Sequence, residues 1–551
     1  METSDKKVKS AHSRTAGTWF KDFLSTIGGF FVRLGKGIVN FFIDTGIAIK
    51  NTFVNLWKMI KNFFVSVYTH FVKGGWRTKL SHFIMGSGQM SMGRPIKGII
   101  YLLIQVAYFI FMFVPGGGLA WLIKFRTLGE VAVEYMAECT WPPGAPIEDC
   151  DEDFITYEKP IFKDNSLLIM LFSVATILIT VFFIVMYFVQ VRGTFKAEKA
   201  YNEAKAKYEL AKSEGSEEAF KNPLPKFTDE LKSLLNERFH FTTLSLPAIT
   251  LTMFTILPLV FMILLAFTNY NRDTAPPNKL FTWVGLDTFK NLFSTKGASA
   301  TNATFGSAMV RILKWTFTWA FFATFTNYIF GLILAMIINR KSIKLKKLWR
   351  TIFVISIAVP QFVTLLLMNQ LLKEYGPLNE TLLQWGWIRQ RIKFLDDPVL
   401  AKITVIVVNI WVGVPYTMLL TSGILMNIPT ELYESAKIDG AGPVRQFFQI
   451  TMPYILFVTG PYLITQFIGN INNFNVIFFL TGGGPSTGIP GVPYGHTDIL
   501  ITWLYALTVG GAHEEYAIGS ALGIFIFLIS ATITLVLYSR TSAAQSEGDF
   551  A

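Results

Sequence analysis

Long apolar stretches alternate with short polar ones through most of the chain after residue 97. A helix that crosses a membrane needs about 20 mostly apolar residues. The stretches that satisfy this requirement are residues 98–122, 166–191, 244–270, 310–338, 351–372, 401–426, 454–480 and 517–538. Pro360 interrupts the fifth of them. The pattern predicts an all-α, polytopic membrane protein with about eight transmembrane helices.

Residues 1–97 have a different pattern, because phenylalanines and tryptophans alternate there with lysines and arginines. No window in this region is both long enough and uncharged enough to span a bilayer. Aromatic residues on one face of a helix and lysines on the other are typical of a helix that lies in the headgroup plane. We therefore expect interfacial amphipathic helices. The alternative is a soluble domain or a docking surface for another subunit.

The pattern divides the rest of the chain into three regions. Residues 98–240 contain two predicted transmembrane helices, an external acidic loop and a cytoplasmic helical linker. Residues 241–540 hold the other six predicted helices and include a polar loop at 429–453. Residues 541–551 form a polar tail, which we place in the cytoplasm.

Composition and charge agree with this pattern. Charged residues make up 16% of the chain, against roughly 25% in soluble domains. Residues 1–97 carry fifteen Lys or Arg against four Asp or Glu, whereas residues 125–165 carry three against ten. Because positive loops stay in the cytoplasm, the basic N-terminus is expected inside and the acidic loop outside. An even number of spans then places both termini inside. The basic balance indicates an anionic membrane surface rather than nucleic acid.

The polar loop between the sixth and seventh predicted spans contains the start and stop signals of two helices. Residues 429–430, Pro-Thr, open the first helix, and Asp439-Gly440 ends it, because glycine accepts the left-handed conformation of a helix stop. Pro443 starts a second short helix, and Pro453 marks the next boundary. The span count places this loop in the cytoplasm. The alternative to a functional helix pair is an ordinary connector.

The sequence lacks the motifs of several common enzyme classes. It has no GxxxxGK[ST] nucleotide loop, no GxSxG and no HExxH, and its six histidines are scattered. We therefore predict no metal site and no cofactor bound by this chain. Cys139 and Cys150 lie in the acidic external loop, where they form a disulfide on the oxidising face or remain two thiols. The carboxylates of residues 148–153 belong to a solvated loop or, on an enzyme hypothesis, supply catalytic acids.

Amide side chains lie at mid-membrane positions, where charged side chains are almost absent. They are Gln361, Asn409, Gln466, Asn470, Asn472 and Asn473. Amides donate and accept hydrogen bonds without charge, which suits neutral, hydroxyl-rich ligands. A single amide is also commonly a contact between helices. Several amides within about one turn, at 470–473, favour a polar cavity or a broken helix.

The loop at 429–453 resembles the EAA loop of ABC importer permeases. The family pattern is E-A-A-x3-G-x9-I-x-L-P, and this chain keeps its spacing with Ser435 and Met452 as replacements. The resemblance implies a coupling helix that docks on a separate ATP-binding subunit. The residues implied in coupling are Glu434, Ser435, Ala436, Asp439 and Gly440.

Residues from about 240 to 540 resemble the permease of maltose and maltodextrin ABC importers, the subunit with eight spans. The matching stretches are NIWVGVPYTMLL, IPTELYESAKIDGAG, NINNFNVIFFLTGGGP and GHTDILITWLY. The positions implied as sugar contacts are Asn409, Gly413, Tyr416, Asn470 and Asn473. The family's span-five tyrosine and serine fall on Ile357 and Gln361, and a span-seven aromatic residue falls on Gly469. Gln361 is kept as a candidate contact.

The resemblance implies an ATP-driven importer of oligosaccharides, with maltose or maltodextrins as the expected cargo, in the cytoplasmic membrane of a bacterium. The implied partners are a second homologous permease, two ATP-binding subunits that carry ATP and Mg²⁺, and an extracellular solute-binding protein. This chain is then a transport subunit and not an enzyme. The alternatives are another oligosaccharide cargo in the same importer class, and a membrane-embedded enzyme acting on glycans or lipids.

Overall fold

The computed structural model of this protein is built mostly of α-helices. It describes residues 50–538 apart from 52–53, 56, 60, 93, 140–153, 162–163, 214–231, 233–238, 278, 299–302, 341 and 510–513. The chain divides into an N-terminal unit, Ile49–Thr288 with Glu515–Ser520, and a C-terminal unit, Phe289–Glu514 with the residues from 521 onward. The predicted all-α fold is confirmed, with one two-stranded sheet as a local exception.

The N-terminal unit is helical on both sides of this sheet. Its elements after residue 75 are α1 (Trp76–Phe83), α2 (Ser87–Met90), α3 (Pro95–Phe113), α4 (Gly118–Lys124), β1 (Ala132–Cys139), β2 (Phe154–Ile161), α5 (Ser166–Ser213), α6 (Phe239–Leu251) and α7 (Leu257–Leu265). The strands are antiparallel, and Cys139 lies opposite Phe154. Cys150 lies outside the described residues, so the disulfide stays a prediction. An interfacial role of residues 1–97 also stays a prediction, and residues 1–49 lie outside the described residues.

Two predicted boundaries in this unit differ from the structure. The second predicted span and the predicted linker as far as Ser213 form one helix, α5, which is 48 residues long. The first predicted span is shorter than expected, because α3 ends at Phe113, just before Pro115 and Gly116. Gly116 has a φ of +75°, a left-handed conformation that ends a helix and that glycine adopts without strain.

The helices of the remaining chain belong mainly to the C-terminal unit. They are α8 (Asp287–Phe293), α9 (Phe305–Asn339), α10 (Lys346–Ala358), α11 (Gln361–Leu372), α12 (Pro377–Gln384), α13 (Pro398–Met426), α14 (Thr430–Ile438), α15 (Pro443–Gln446), α16 (Met452–Ile471), α17 (Phe474–Thr481), α18 (Leu500–Thr508) and α19 (Tyr516–Tyr538). The first residues of α8 and α19 are part of the N-terminal unit. Trp319 is fully buried in the main core cluster, together with Leu365 and Val405.

Two predicted spans of this unit are broken. The fifth consists of α10 and α11, which meet at Pro360 with a bend of 86°. Proline disfavours the helical conformation in the residue before it, and Val359 is extended. The seventh predicted span is interrupted after Ile471, where α16 ends and α17 begins at Phe474. In the described part of the chain, seven helices are long and apolar enough to cross a membrane, or eight if the bent pair counts as one span.

A π-helical turn precedes a proline in two of the membrane helices. The turn at Thr252–Ile256 precedes Pro258, and the turn at Phe447–Thr451 precedes Pro453. Proline lacks an N–H group and its ring crowds the carbonyl group four residues earlier, so a wider turn accommodates it. Pro453 therefore marks a change of helix type and not an end. Helical backbone runs from Pro443 to Ile471 as one candidate span.

Helices α9 and α13 pack closely, because a glycine of each faces a side chain of the other. A Cβ atom at Gly331 would lie 2.6 Å from Thr417 Oγ1, and one at Gly413 would overlap the amide of Asn327. Small residues let helix backbones approach each other in membranes. Thr417 Oγ1 also donates to the backbone oxygen of Asn327 at 3.0 Å. This contact fixes the position of Asn327 relative to α13.

We expect Gly331→Ala to lower the free energy of unfolding by about 1–3 kcal/mol, because the added methyl group would force α9 and α13 apart. The measurement is thermal or denaturant unfolding in detergent. Gly423→Ala on α13 is the matched control, since a Cβ atom there meets nothing within 4 Å. The control should be neutral or slightly more stable, because alanine favours helices over glycine. Equal stabilities of the two variants would contradict the close contact.

Candidate functional site

A cavity of about 450 Å³ lies within the C-terminal unit, between α9, α11, α13 and α16. The residues that line it are Ala323, Thr324, Asn327, Tyr328, Gln361, Asn409, Val412, Gly413, Tyr416, Thr417, Leu420, Tyr462, Leu463, Gln466, Asn470 and Asn473. Its volume lies in the range of about 300–1,000 Å³ typical of small-molecule sites. The cavity is therefore large enough for an organic ligand.

The cavity wall is polar but carries no ionic side chain. Six of its sixteen described residues are Asn or Gln, and none of the sixteen is Asp, Glu, Lys, Arg or His. The aromatic rings come from Tyr328, Tyr416 and Tyr462. A wall of this kind offers hydrogen bonds and aromatic faces without the free-energy cost of a buried charge.

The six residues predicted to contact cargo all lie at this cavity. They are Gln361, Asn409, Gly413, Tyr416, Asn470 and Asn473. The structure thus brings together three segments that are far apart in the sequence. Ile357 and Gly469, where the family has aromatic rings, are not among the lining residues, and a Cβ atom at Gly469 would meet nothing within 4 Å. Binding of a ligand by the six residues stays a prediction.

Two of the amides are already hydrogen-bonded within the protein. Asn470 Nδ2 donates to Thr324 Oγ1 at 2.9 Å, and Asn473 Nδ2 donates to Asn470 Oδ1 at 3.2 Å. Asn473 Oδ1 caps α17 by accepting from the backbone N–H of Val476 at 3.3 Å. Trp319 Nε1 donates to the backbone oxygen of Asn470 at 3.0 Å. The cluster at 470–473 therefore stabilises the broken helix and also lines the cavity.

Two other amides keep unpaired atoms in the buried wall. Asn327 Oδ1 on α9 and Asn409 Nδ2 on α13 are buried and have no hydrogen-bond partner. An unsatisfied buried polar atom costs about 1–3 kcal/mol. One atom is an acceptor and the other a donor, and a hydroxyl group can satisfy either. These two atoms give α9 and α13 hydrogen-bonding capacity that the protein itself does not use.

Sequence reasoning missed five polar cavity residues: Thr324, Asn327, Tyr328, Thr417 and Tyr462. Tyr328 is buried, and its hydroxyl is 2.8 Å from Thr459 Oγ1. Asn327 lies in a segment that otherwise resembles an apolar span. A signal was present, because Asn327 and Gly331 are four residues apart and share one face of a helix. A polar and a small residue on one face of a membrane helix indicate a contact with protein rather than lipid.

The polar loop at 429–453 forms the predicted helix pair. Helix α14 follows Pro429 and ends before Asp439, and Gly440 has the left-handed φ of +74° expected of a helix stop. The hydroxyl of Tyr433 is 2.8 Å from Thr451 Oγ1, which fastens α14 to the π-helical turn. Gln446 Nε2 donates to the backbone oxygen of Ala441 at 2.7 Å. These bonds hold α14 and α15 as one structural piece.

The outer surface of this helix pair is both charged and apolar. Glu434, Ser435, Asp439 and Gly440 are exposed and Ala436 is partly buried. Ile438 is 87% exposed and Val444 is 71% exposed. These two side chains give the helix pair exposed apolar atoms beside its charged ones. The sequence motif did not single out the two aliphatic residues. A coupling role for any of these residues stays a prediction.

Membrane-length helices around an uncharged cavity, with an exposed helix pair between two spans, define a multi-pass membrane protein of the transport type. Residues 327–543 match the family described as "Binding-protein-dependent transport system inner membrane component". Relatives at 30–31% identity match most of the chain. The chain belongs to this family, the permeases of ABC importers, and it resembles the maltose/maltodextrin type within it.

Similar proteins come from several transport systems. The galactooligosaccharides transport system permease protein GanP of Bacillus subtilis is 31% identical over 387 residues, 70% of this chain and 85% of GanP. The maltodextrin transport system permease protein MalC of Streptococcus pneumoniae is 30% identical over 484 residues, 86% of this chain and 97% of MalC. The maltodextrin permease MdxF of Bacillus subtilis is 34% identical over 313 residues, 55% of this chain and 69% of MdxF. The likeness thus extends beyond residues 327–543.

The paired and unpaired amides should differ in their effects on stability. We expect Asn470→Ala to lower the free energy of unfolding by about 1–3 kcal/mol, because it removes the hydrogen bonds to Thr324 Oγ1 and from Asn473 Nδ2. Asn327→Ala should cost much less, because it removes an atom that is already unpaired. Unfolding of both variants in the same detergent measures the difference. An equal loss in the two variants would contradict this assignment of hydrogen bonds.

Proposed function

We propose that this chain is a transmembrane subunit of an ATP-driven importer of oligosaccharides, with maltose or maltodextrins as its cargo. The uncharged cavity of amides and tyrosines is the observation that supports this function. Amides match sugar hydroxyl groups, and aromatic rings match the apolar faces of sugar rings. The maltodextrin permeases MalC and MdxF, both similar to this chain, support the choice of cargo.

A galacto-oligosaccharide is the second candidate cargo. The relative GanP is named for that cargo and is as similar to this chain as MalC is. Both cargoes are neutral and rich in hydroxyl groups, so both fit a wall that offers donors and acceptors without charge. Competition between the two sugars for uptake distinguishes them.

In this proposal the cavity binds cargo through its unpaired atoms. A sugar hydroxyl that donates to Asn327 Oδ1, or accepts from Asn409 Nδ2, removes the free-energy cost of an unsatisfied buried atom. Rotation of a terminal amide costs little, so each group can turn towards the cargo. Tyr416 is half exposed and offers its ring as a stacking face. Asn470 and Asn473 hold the wall in place and line it beside the cargo.

The exposed helix pair α14–α15 contacts an ATP-binding subunit in this proposal. The helical backbone that starts at Pro443 continues through the π-helical turn into α16 and reaches the cavity. Tyr462, Gln466 and Asn470 of α16 line that cavity. A movement of the partner is therefore transmitted along one helix to the cargo. ATP and Mg²⁺ bind to the two ATP-binding subunits and not to this chain.

The remaining partners and the orientation follow from the same proposal. A second homologous permease supplies the other half of the pathway, and an external solute-binding protein delivers the cargo. The chain lies in the cytoplasmic membrane of a bacterium with both termini inside. The basic segment 340–350, with six Lys or Arg, supports this orientation because positive loops remain in the cytoplasm.

Uptake of labelled maltotriose by a strain that lacks the gene tests the function and its coupling. The wild-type gene should restore uptake, and Glu434→Gln should reduce it about tenfold or more, because an exposed carboxylate at a charge-complementary contact is lost. Glu431→Gln on the same helix is the matched control and should remain near the wild type. Unlabelled galactotriose is added as competitor.

Three outcomes would change this account. Uptake that persists without the gene would contradict the proposed function. Full activity of Glu434→Gln would contradict the coupling contact while leaving the cargo assignment intact. Stronger competition by galactotriose than by unlabelled maltotriose would favour the second cargo.

A further inference from the structure

Two cations at one end of the C-terminal unit have no carboxylate partner. Arg311 lies near the start of α9, and its Nη1 donates to the Tyr494 hydroxyl at 3.1 Å. Lys402 lies near the start of α13, and its Nζ is 4.9 Å from the centre of the Trp315 ring. Among the described residues, neither forms an ion pair. Arg311 is exposed and Lys402 is partly buried, and no described carboxylate neutralises either charge.

Segment 494–497 brings the two cations into one patch. The backbone oxygen of Thr497 accepts from Trp315 Nε1 at 3.1 Å, so the ring beneath Lys402 is attached to the same segment that supplies Tyr494. Burial and the positive charges of Lys402 and Arg311 lower the pKa of His496. The imidazole is thus mostly neutral at pH 7. We call Arg311, Lys402, Tyr494 and His496 the basic patch.

The nearest acid in the sequence does not neutralise the basic patch. Asp498 is buried, and its carboxylate accepts from the backbone N–H of Gly495 at 2.7 Å and from Thr502 Oγ1 at 2.9 Å. Desolvation raises the pKa of Asp498 to about 6. Its hydrogen-bonding groups thus serve the local fold of the segment. They do not contact either cation.

Two other cations of the same unit have carboxylate partners. Arg391 pairs with Glu380 at 3.0 Å, and Lys393 pairs with Glu374 at 3.9 Å. These pairs lie in the segment between α11 and α13, and Lys402 lies near the start of α13.

Lys373 and Arg389 of the same segment form no ion pair among the described residues. The basic patch differs from them because its two cations are held in place by Tyr494 and by the Trp315 ring. Like charges held close together without counter-charges cost free energy that a bound anionic partner recovers.

We propose that the basic patch is a docking site for an acidic surface of the external solute-binding protein. This inference rests on the proposed importer function and its orientation. Arg311 is held by a tyrosine hydroxyl and Lys402 by an indole ring, so both are fixed in position before the partner arrives. Fixed cations suit a partner whose carboxylates have a defined geometry. Complementary charges also increase the rate of association.

The location of the basic patch fits delivery of cargo to the cavity. Lys402 and the cavity residue Asn409 are seven residues apart on α13, which is about 10 Å along a helix. Arg311 and Asn327 are sixteen residues apart on α9, or about 24 Å. The same two helices therefore carry the basic patch near one end and the cavity wall further along. A partner bound at the basic patch stands at the end of the helices that lead to the cavity.

The test measures binding of the sugar-loaded solute-binding protein to the complete transporter in nanodiscs of phosphatidylcholine. The probe is the binding protein that stimulates ATP hydrolysis by the wild-type complex. The double variant Arg311→Gln/Lys402→Gln should bind about tenfold more weakly, and its affinity should depend less on salt between 50 and 500 mM. The charge-retaining variant Arg311→Lys/Lys402→Arg should bind within about threefold of the wild type.

Arg391→Gln is the matched control, because its charge is already paired with Glu380. It should change the affinity less than about twofold. Two controls recognise a general loss of structure. The unfolding temperature and the basal ATP hydrolysis of each variant are compared with those of the wild type.

Any of the following four outcomes would overturn the docking proposal. Wild-type affinity and salt dependence in the double variant would overturn it while leaving the importer function intact. An effect that appears only when phosphatidylglycerol is added would assign the basic patch to lipid headgroups. Unchanged binding with lost uptake of a uronate-containing sugar would assign it to an acidic cargo. No response of the wild-type complex to any solute-binding protein would overturn the proposed function, and the docking site with it.

Discussion

The close contact between α9 and α13 is the constraint on which the cavity depends. Gly331 and Gly413 leave room for Thr417 and Asn327. A larger side chain at Gly331 would press on Thr417 and on the backbone of α13, and one at Gly413 would displace the Asn327 amide. This contact holds the Asn327 amide at the cavity wall. In a membrane, such contacts replace the hydrophobic driving force that packs helices in water. The small residues thus determine where the polar ones lie.

The absence of water in the bilayer core also constrains the breaks in the helices. A backbone group that loses its helical partner inside a bilayer needs another partner. At Asn473 the side chain caps the next helix, and at Pro453 a π-helical turn accommodates the missing N–H. The break at 470–473 lies beside the cavity, where amides complete the hydrogen bonding. The same amide side chains therefore satisfy the irregular backbone and line the cavity.

The long helix from the polar hairpin to the cavity connects the two candidate sites. Because the π-helical turn keeps the backbone helical from Pro443 to Ile471, α15 and α16 are joined without a loop. The helical backbone is thus continuous from α15 to the cavity, with Pro461 inside α16. In the proposed mechanism, this connection links the helix pair α14–α15 to the cavity.

Much of this arrangement was predictable from the sequence, and the parts that were not have physical reasons. Apolar length predicted the spans, and the start and stop signals predicted α14, because these are local effects. The six predicted contact residues, among them Asn409 and Asn470, lie at the cavity. Asn327 was missed because its role depends on a glycine in another helix. The hydrogen bonds of Asn470 and Asn473 were also not predictable, since they depend on how α9 and α17 meet α16.

The most direct test of the account is whether the cavity opens to opposite sides of the membrane and binds sugar. Gln466→Cys is introduced into a variant with Cys139→Ser and Cys150→Ser, and the assembled transporter in proteoliposomes is labelled with a membrane-impermeant maleimide. We predict labelling from the cytoplasmic side without ATP, labelling from the external side with a non-hydrolysable ATP analogue and binding protein, and protection by maltotriose. Labelling from the same side in both states, without protection by sugar, would contradict the account.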